Sequence, residues 1–168
     1  MFDGSREFIS FDLISRIVPE GLDKVLYGIV IGIPVVVVGN RNLAEPMIHT
    51  LHLLSPTRIL EVKPWSFKYE HGYDIIGTND YEDLMPSNTL IIVNIDEGVV
   101  FGGRSSVYFE DLIKQISCLN AMEAFNLLRT ELDWIFQSLE SLSIRSLSKD
   151  NLSLEKQMIL FELLKRIH

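Results

Sequence analysis

Between Gly32 and Gly39 the chain reads Ile33-Pro34-Val35-Val36-Val37-Val38, a β-branched block with no polar residue and no alternation. A strand with one wet face alternates apolar and polar side chains, so an unbroken block bounded by glycines predicts a strand covered on both faces, the situation of a central strand in a parallel sheet. Proline cannot donate to a ladder, which puts Pro34 at the strand's entry. The wider apolar stretch from Val25 to Val38 has fourteen residues and is interrupted by Gly28, Gly32 and Pro34. That is short of the roughly 20 residues a membrane-spanning helix needs, so a buried strand is the better account.

Periodicity around this block supplies the remaining elements. Upstream, Phe8, Phe11, Ile14, Ile17 and Val18, then Leu22, Val25 and Leu26, recur at helical spacing on either side of Pro19-Glu20-Gly21, predicting two short helices between Arg6 and Tyr27. Downstream, Asn40-Arg41-Asn42 forms a turn, and Leu43 to Leu54 places Leu43, Met47, Ile48, Leu51 and Leu54 on one helical face ended by Ser55-Pro56. Arg58 to Val62 reads as a second strand closed by Lys63-Pro64-Trp65, and Asp74 to Thr78 as a third; Thr78-Asn79-Asp80 offers a cap for a helical turn from Tyr81 to Met85. Thr89 to Asp96 is the clearest strand, and Glu97-Gly98 joins it to Val99-Val100-Phe101 as a hairpin. From Val107 to Leu142 the period becomes helical, with a break near Ser117 to Asn120 and with Phe109, Leu112, Ile113, Ile116, Phe125, Leu128, Leu132, Ile135 and Leu139 facing inward.

At 168 residues the chain predicts one α/β domain over residues 1–142, with a mostly parallel sheet of about five strands, helices on both faces and a helical C-terminal third. Ser143 to Asn151 reads as a linker, and Leu154 to Ile167 as a last helix, presenting Leu154, Met158, Phe161, Leu164 and Ile167, that packs on the same domain or on a partner.

Fifteen Lys and Arg against 23 Asp and Glu give a net charge of −8, which opposes a phosphate-neutralising surface and so argues against nucleic acid. A lone Cys118 excludes an internal disulfide and fits a reducing cytoplasm. The N-terminus, with Asp3 and Glu7, does not read as a secretory signal. No catalytic motif is present: there is no G-x-S-x-G, no G-x-G-x-x-G, and no Gly-Lys-Ser/Thr after Gly39. No cofactor or metal is expected, because His49 and His52 stand beside Glu45 on a polar helical side, and His71 and His168 carry no informative spacing. Asp96-Glu97 at the end of the best strand reads as turn chemistry. The strand-to-helix turn at Asn40, Arg41 and Asn42 is the place for a ligand if there is one, since free N–H groups there can meet an anion. The acids Glu110, Asp111, Glu123, Glu131 and Asp133 form the exposed side of the C-terminal helices and are the candidate partner surface.

Four segments resemble the central part of DENN domains, especially the version in folliculin and its relatives. Leu26 to Asn40 looks like a helix running straight into the first buried strand, and Ala44 to Pro56, ending Leu51-His52-Leu53-Leu54-Ser55-Pro56, like the family's leucine-rich helix. Arg58 to Glu70, with Pro64-Trp65-Ser66 and Tyr69-Glu70, followed by Tyr73-Asp74-Ile75-Ile76-Gly77, is similar to the strand, Pro-aromatic-Ser, Tyr-Glu and Gly order. Leu90 to Asp96 resembles the valine-rich strand ending in acids, with Asn94 where the first acid usually stands. The resemblance covers somewhat under half of the chain and carries no catalytic residue. It implies a binding module in a small-GTPase regulatory assembly, with a small GTPase or a separate longin-domain protein as partner, because only about 30 residues precede the first strand. The alternative is a Rossmann-like domain binding an anionic small molecule at Asn40 to Asn42; a homo-oligomer joined through the C-terminal helices is a third reading.

Overall fold

A computed structural model describes residues 8–55 and 59–134, together with residues 156, 158 and 159. The valine block forms β1 (Val35–Val38), whose four side chains are all buried. It is the middle strand of a five-stranded sheet ordered β2-β3-β1-β4-β5, where β2 is Val62–Ser66, β3 Ile75–Thr78, β4 Ile91–Asn94 and β5 Val99–Phe101. β1 pairs in parallel with β3 (Val35 with Ile75) and with β4 (Val35 with Ile91), β2 pairs in parallel with β3, and β5 closes the sheet antiparallel to β4. The fold is therefore α/β, with a mostly parallel sheet.

Two boundaries differ from the sequence reading. The apolar run from Val25 is helix for its first half: α1 (Phe11–Ile17) is followed by α2 (Leu22–Ile31), which ends at Gly32 in the left-handed conformation with its N–H donated to the Gly28 carbonyl. Gly28 lets α2 cross close to the sheet, because a Cβ there would overlap Ile91 Cδ1. An all-apolar stretch has no period of its own, so the glycine rather than the hydrophobicity decides where helix gives way to strand. The second strand is likewise displaced: Ile59 to Glu61 are not strand, and β2 runs through Pro64 to Ser66. β2 is an edge, and its register on β3 shifts between Lys63 and Ser66, so the missing N–H of Pro64 falls where no ladder bond is required. The turn expected from Tyr81 to Met85 is a single bend in which Leu84 N–H reaches the Tyr81 carbonyl, not a helix.

The helices gather on one side. Val35, Val37, Ile75, Ile91 and Val93 face the main core together with α1, α2, α3 (Arg41–Leu51), α4 (Val107–Ile116) and α5 (Ala121–Glu131). Val36, Val38, Ile76 and Ile92 form a second, smaller core covered by Tyr69, Tyr73, Leu84 and Leu90 from the β2–β3 and β3–β4 connections. Among the described residues, loops stand where a helix layer on the second face was expected. Residues 67–74 and 79–90 return the chain to parallel neighbours without helices, and their aromatic and leucine side chains do the covering.

α1, α3 and α5 start on side-chain caps, Ser10, Asn40 and Asn120. Asn40 Oδ1 accepts the Asn42 N–H at 2.8 Å at the start of α3, and Asn120 and Glu123 form a reciprocal capping box at the start of α5. On α3, Ala44, Met47, Ile48 and Leu51 are buried, and Leu54 follows on a 3-10 turn (His52–Leu54); Leu43 points outward, because the buried stripe passes through Ala44. α4 and α5 bury Phe109, Leu112, Ile116, Leu128 and Leu132, with Ile113 and Phe125 half-buried. In the C-terminal segment, Lys156, Met158 and Ile159 are helical; Ile159 is in the main core, whereas Met158, expected on the packing side, is exposed. Arg58, Pro56, Ile135, Leu139, the serine-rich linker and the rest of the last helix lie outside the described residues.

Candidate functional site

In an open parallel sheet the carboxyl ends of the strands are where ligands are bound, and the crevice opens where successive connections leave in opposite directions. Here that point is the end of β1, since α3 carries the chain toward β2 while residues 79–90 carry it from β3 past β1 to β4. Asn40, Arg41 and Asn42 stand there and all three are exposed. Asn40 is committed to capping α3, and Arg41 Nε donates to Glu45 Oε1 at 2.9 Å with its guanidinium 5.9 Å from the centre of the Trp65 ring. The neighbouring strand ends are turned back on themselves. Thr78 Oγ1 accepts the Asp80 N–H, and Asn94 Oδ1 accepts the Glu97 N–H at 3.1 Å. Asp96 joins this edge, with Oδ1 3.3 Å from the position of a Cβ at Gly39. An anion approaching the turn would meet that carboxylate, so the geometry makes a helix cap rather than an open phosphate cradle.

The five acids of the predicted partner surface are all exposed. The Tyr108 hydroxyl donates to the Glu131 carbonyl at 3.2 Å, which sets the start of α4 beside the end of α5. Glu110, Asp111, Glu131 and Asp133 therefore share one end of the helix pair, and Glu123 stands at the other, where its carboxylate belongs to the capping box. The same contact reveals a cluster with no sequence signal: Trp134 Nε1 donates to Tyr108 Oη at 2.8 Å, and Lys156 Nζ lies 4.9 Å from the Trp134 ring and 5.5 Å from that of Tyr108. Burial pushes the Tyr108 phenol above its ordinary value, while the Trp134 hydrogen bond pulls the other way.

His49 and His52 are half-buried, and the His49 ring stands 6.2 Å from that of Phe8. Among the described residues no group of three or more His, Cys, Asp or Glu could hold a metal ion, and no helix is long and apolar enough to cross a membrane. Cys118 is exposed at the end of α4, its thiol against the Gln115 carbonyl.

The segment Pro64-Trp65-Ser66 to Tyr69-Glu70 forms a latch over the β2–β3 connection. Lys63 Nζ pairs with Glu70 Oε2, Ser66 Oγ donates to the same oxygen at 3.1 Å, and the Lys63 ammonium lies 5.7 Å from the centre of the Tyr73 ring. The Lys63 hydrogen bond, then that of Ser66, hold the Glu70 carboxyl below its ordinary range, and Glu70 in turn raises Lys63. These motif residues thus shape the connection that covers the smaller core.

A cleft of about 570 Å³ opens on the opposite edge of the sheet, between the start of α2, β5 and the start of α4. Three carboxylates line it: Glu20 and Asp23 from the junction of α1 and α2, and Glu110 from α4. Local spacing does not reveal it, because Glu110 joins the other two only through the packing of α2, β5 and α4.

No protein-family model matches the chain, and no curated protein matches it.

Proposed function

We propose that the chain is a folliculin-like DENN module that acts by recognition within a small-GTPase regulatory assembly, with a separate longin-type protein as its companion. The observation that carries this reading is the order of the four resembling segments. They coincide with α2 and β1, with α3 and its 3-10 extension, with β2, the latch and β3, and with β4. The helix-to-strand passage, the leucine-rich helix and the Pro-aromatic-Ser strand are fold-forming, so they support architecture first and the regulatory role by analogy. The acidic end of the α4 and α5 pair, with Glu110, Asp111, Glu131 and Asp133, is the surface offered to the assembly.

The experiment is retention of small GTPases and longin-domain proteins from the same cell on the immobilised full chain, in GDP-bound, GTP-analogue and nucleotide-free conditions. A GTPase or longin protein retained by the native chain and released by Glu131→Lys with Asp133→Lys supports the reading. Retention of neither class in any nucleotide state refutes it.

A further inference from the structure

The cleft beside β5 shares only Glu110 with the acidic end of the α4 and α5 pair, and it contains an unsolved electrostatic problem. Asp23 is only 8% exposed, and its Oδ2 has no hydrogen-bond partner among the described residues. Its place in the first turn of α2 suits a negative charge, because the helix dipole is positive there. The dipole explains the sign and not the burial, since first-turn acids serve equally well in water. A buried carboxylate oxygen without a donor is unfavourable until a partner supplies one. Glu20 and Glu110 bring two more carboxylates to the same cleft, and Lys24, the one basic side chain lining it, forms no ion pair with them among the described residues.

We propose that this cleft receives the arginine side chain of a partner protein whose extended segment pairs with the outer edge of β5. The deficit calls for several donors on a permanent cation. A guanidinium presents five N–H groups in one plane, spans carboxylates on separate elements, and keeps its charge when desolvated. Pro19, Val99 and Val100 give the cleft an apolar wall for the methylene stem.

The sheet explains why the arginine arrives on a strand. β5 pairs only with β4, and its outer edge has no strand partner among the described residues. Val99 and Phe101 are partly exposed on one face of it, whereas Val100 faces α2, packed so closely on Gly21 that a Cβ there would stand 2.7 Å from Val100 Cβ. Residues opposite one another on adjacent strands project to the same face. A partner residue opposite Val100 therefore points its side chain toward Gly21 and Asp23, into the cleft, while its neighbours meet Val99 and Phe101. Backbone pairing supplies affinity and the buried charge supplies selection. Glu110 is shared with the acidic end of the α4 and α5 pair, whereas Asp23 and the β5 edge belong to this cleft alone.

The test uses the full chain, isotopically labelled for amide NMR, with the peptide acetyl-Thr-Val-Arg-Val-Thr-amide and its citrulline and lysine counterparts. The arginine peptide should shift the amides of Gly21, Asp23 and Val100 saturably and bind at least about tenfold more tightly than the neutral citrulline peptide. Asp23→Asn should bring it down to the citrulline level. Glu110→Gln, on an exposed position, should weaken it severalfold with the unfolding midpoint unchanged, so the result does not depend on how the buried variant folds. Free arginine amide should bind more weakly and leave the β5 amides in place. Equal binding of arginine and citrulline peptides, or no saturable shift at the cleft, overturns the proposal. Lysine binding as tightly as arginine overturns the guanidinium assignment, and free arginine amide matching the peptide overturns the strand pairing.

Discussion

Gly77 lies in β3 opposite the register shift of β2, and Gly77→Ala asks whether that shift leaves any room. A Cβ at this position would overlap the Pro64 carbonyl oxygen and stand 2.7 Å from Ile48 Cδ1. The isoleucine is the far end of a flexible side chain and can yield; the carbonyl belongs to a strand and cannot move without displacing β2. Overpacking of this kind costs about 1–3 kcal/mol, and a backbone obstruction places it at the upper end. Restricting the unfolded chain returns about 0.4–1 kcal/mol. The net loss is about 2 kcal/mol, which for a chain of this length lowers the unfolding midpoint by about 4–8 °C. Urea and thermal unfolding followed by circular dichroism measure it. Gly72→Ala is the control: nothing lies within 4 Å, but φ is +98°, so only the left-handed conformation is penalised, at about 1 kcal/mol. Ile48→Val removes Cδ1 and alone costs about 1 kcal/mol; combined with Gly77→Ala the losses should fall short of their sum by about 0.5 kcal/mol, because one of the two obstructions is gone. A Gly77→Ala protein within about 0.5 kcal/mol of the native one would refute the steric account.

Two further outcomes follow from the caps and the latch. Asn120→Ala removes the oxygen that takes the Glu123 N–H at 2.9 Å and should lower stability by about 1 kcal/mol, with Asn120→Asp restoring it in the same urea series. Glu70, held below its ordinary value by Lys63 and Ser66, contributes stability above the pKa of an unfolded glutamate and loses it as pH falls through the lower folded value; Lys63, held above its own, contributes fully below the pKa of an unfolded lysine and loses its share as pH rises through the raised folded value. Carboxyl NMR titration should show Glu70 protonating below ordinary glutamates and returning toward them in Lys63→Met; an unmoved midpoint in that variant would count against the pairing.

What could be read from the sequence depended on whether one local physical rule acted alone. The valine block, the Asp96-to-Val99 hairpin and the break before Ala121 each obey a single rule, and each is where it was expected. β2 was displaced because the rule against proline in strands holds for central strands, and nothing in residues 58–66 says that this strand is an edge. The one-sided helix layer was invisible because the covering side chains, Tyr69, Tyr73, Leu84 and Leu90, sit in segments without periodicity. Of the candidate residues, Asn40 to Asn42 are at the sheet's carboxyl edge as the strand-to-helix order implied, but the Glu45 and Asp96 carboxylates that give the turn its character come from pairing and packing. The cleft of Glu20, Asp23 and Glu110 depends wholly on how α2, β5 and α4 meet.

The central position of β1 has a consequence for how the chain reaches this state. β1 is the earliest strand among the described residues, yet both of its neighbours, β3 and β4, come much later, and Val35 finds Ile75 and Ile91 only after long stretches of chain have closed. During synthesis at about 5–20 residues per second, four adjacent valines therefore wait several seconds with both edges unpaired. Sequences of this kind are the ones that pair with copies of themselves. α2, made just before, is the element placed to shield one face during that interval. Substitutions that weaken α2 should then lower the soluble yield from living cells by more than their effect on the folded protein's stability would suggest, a difference set by timing.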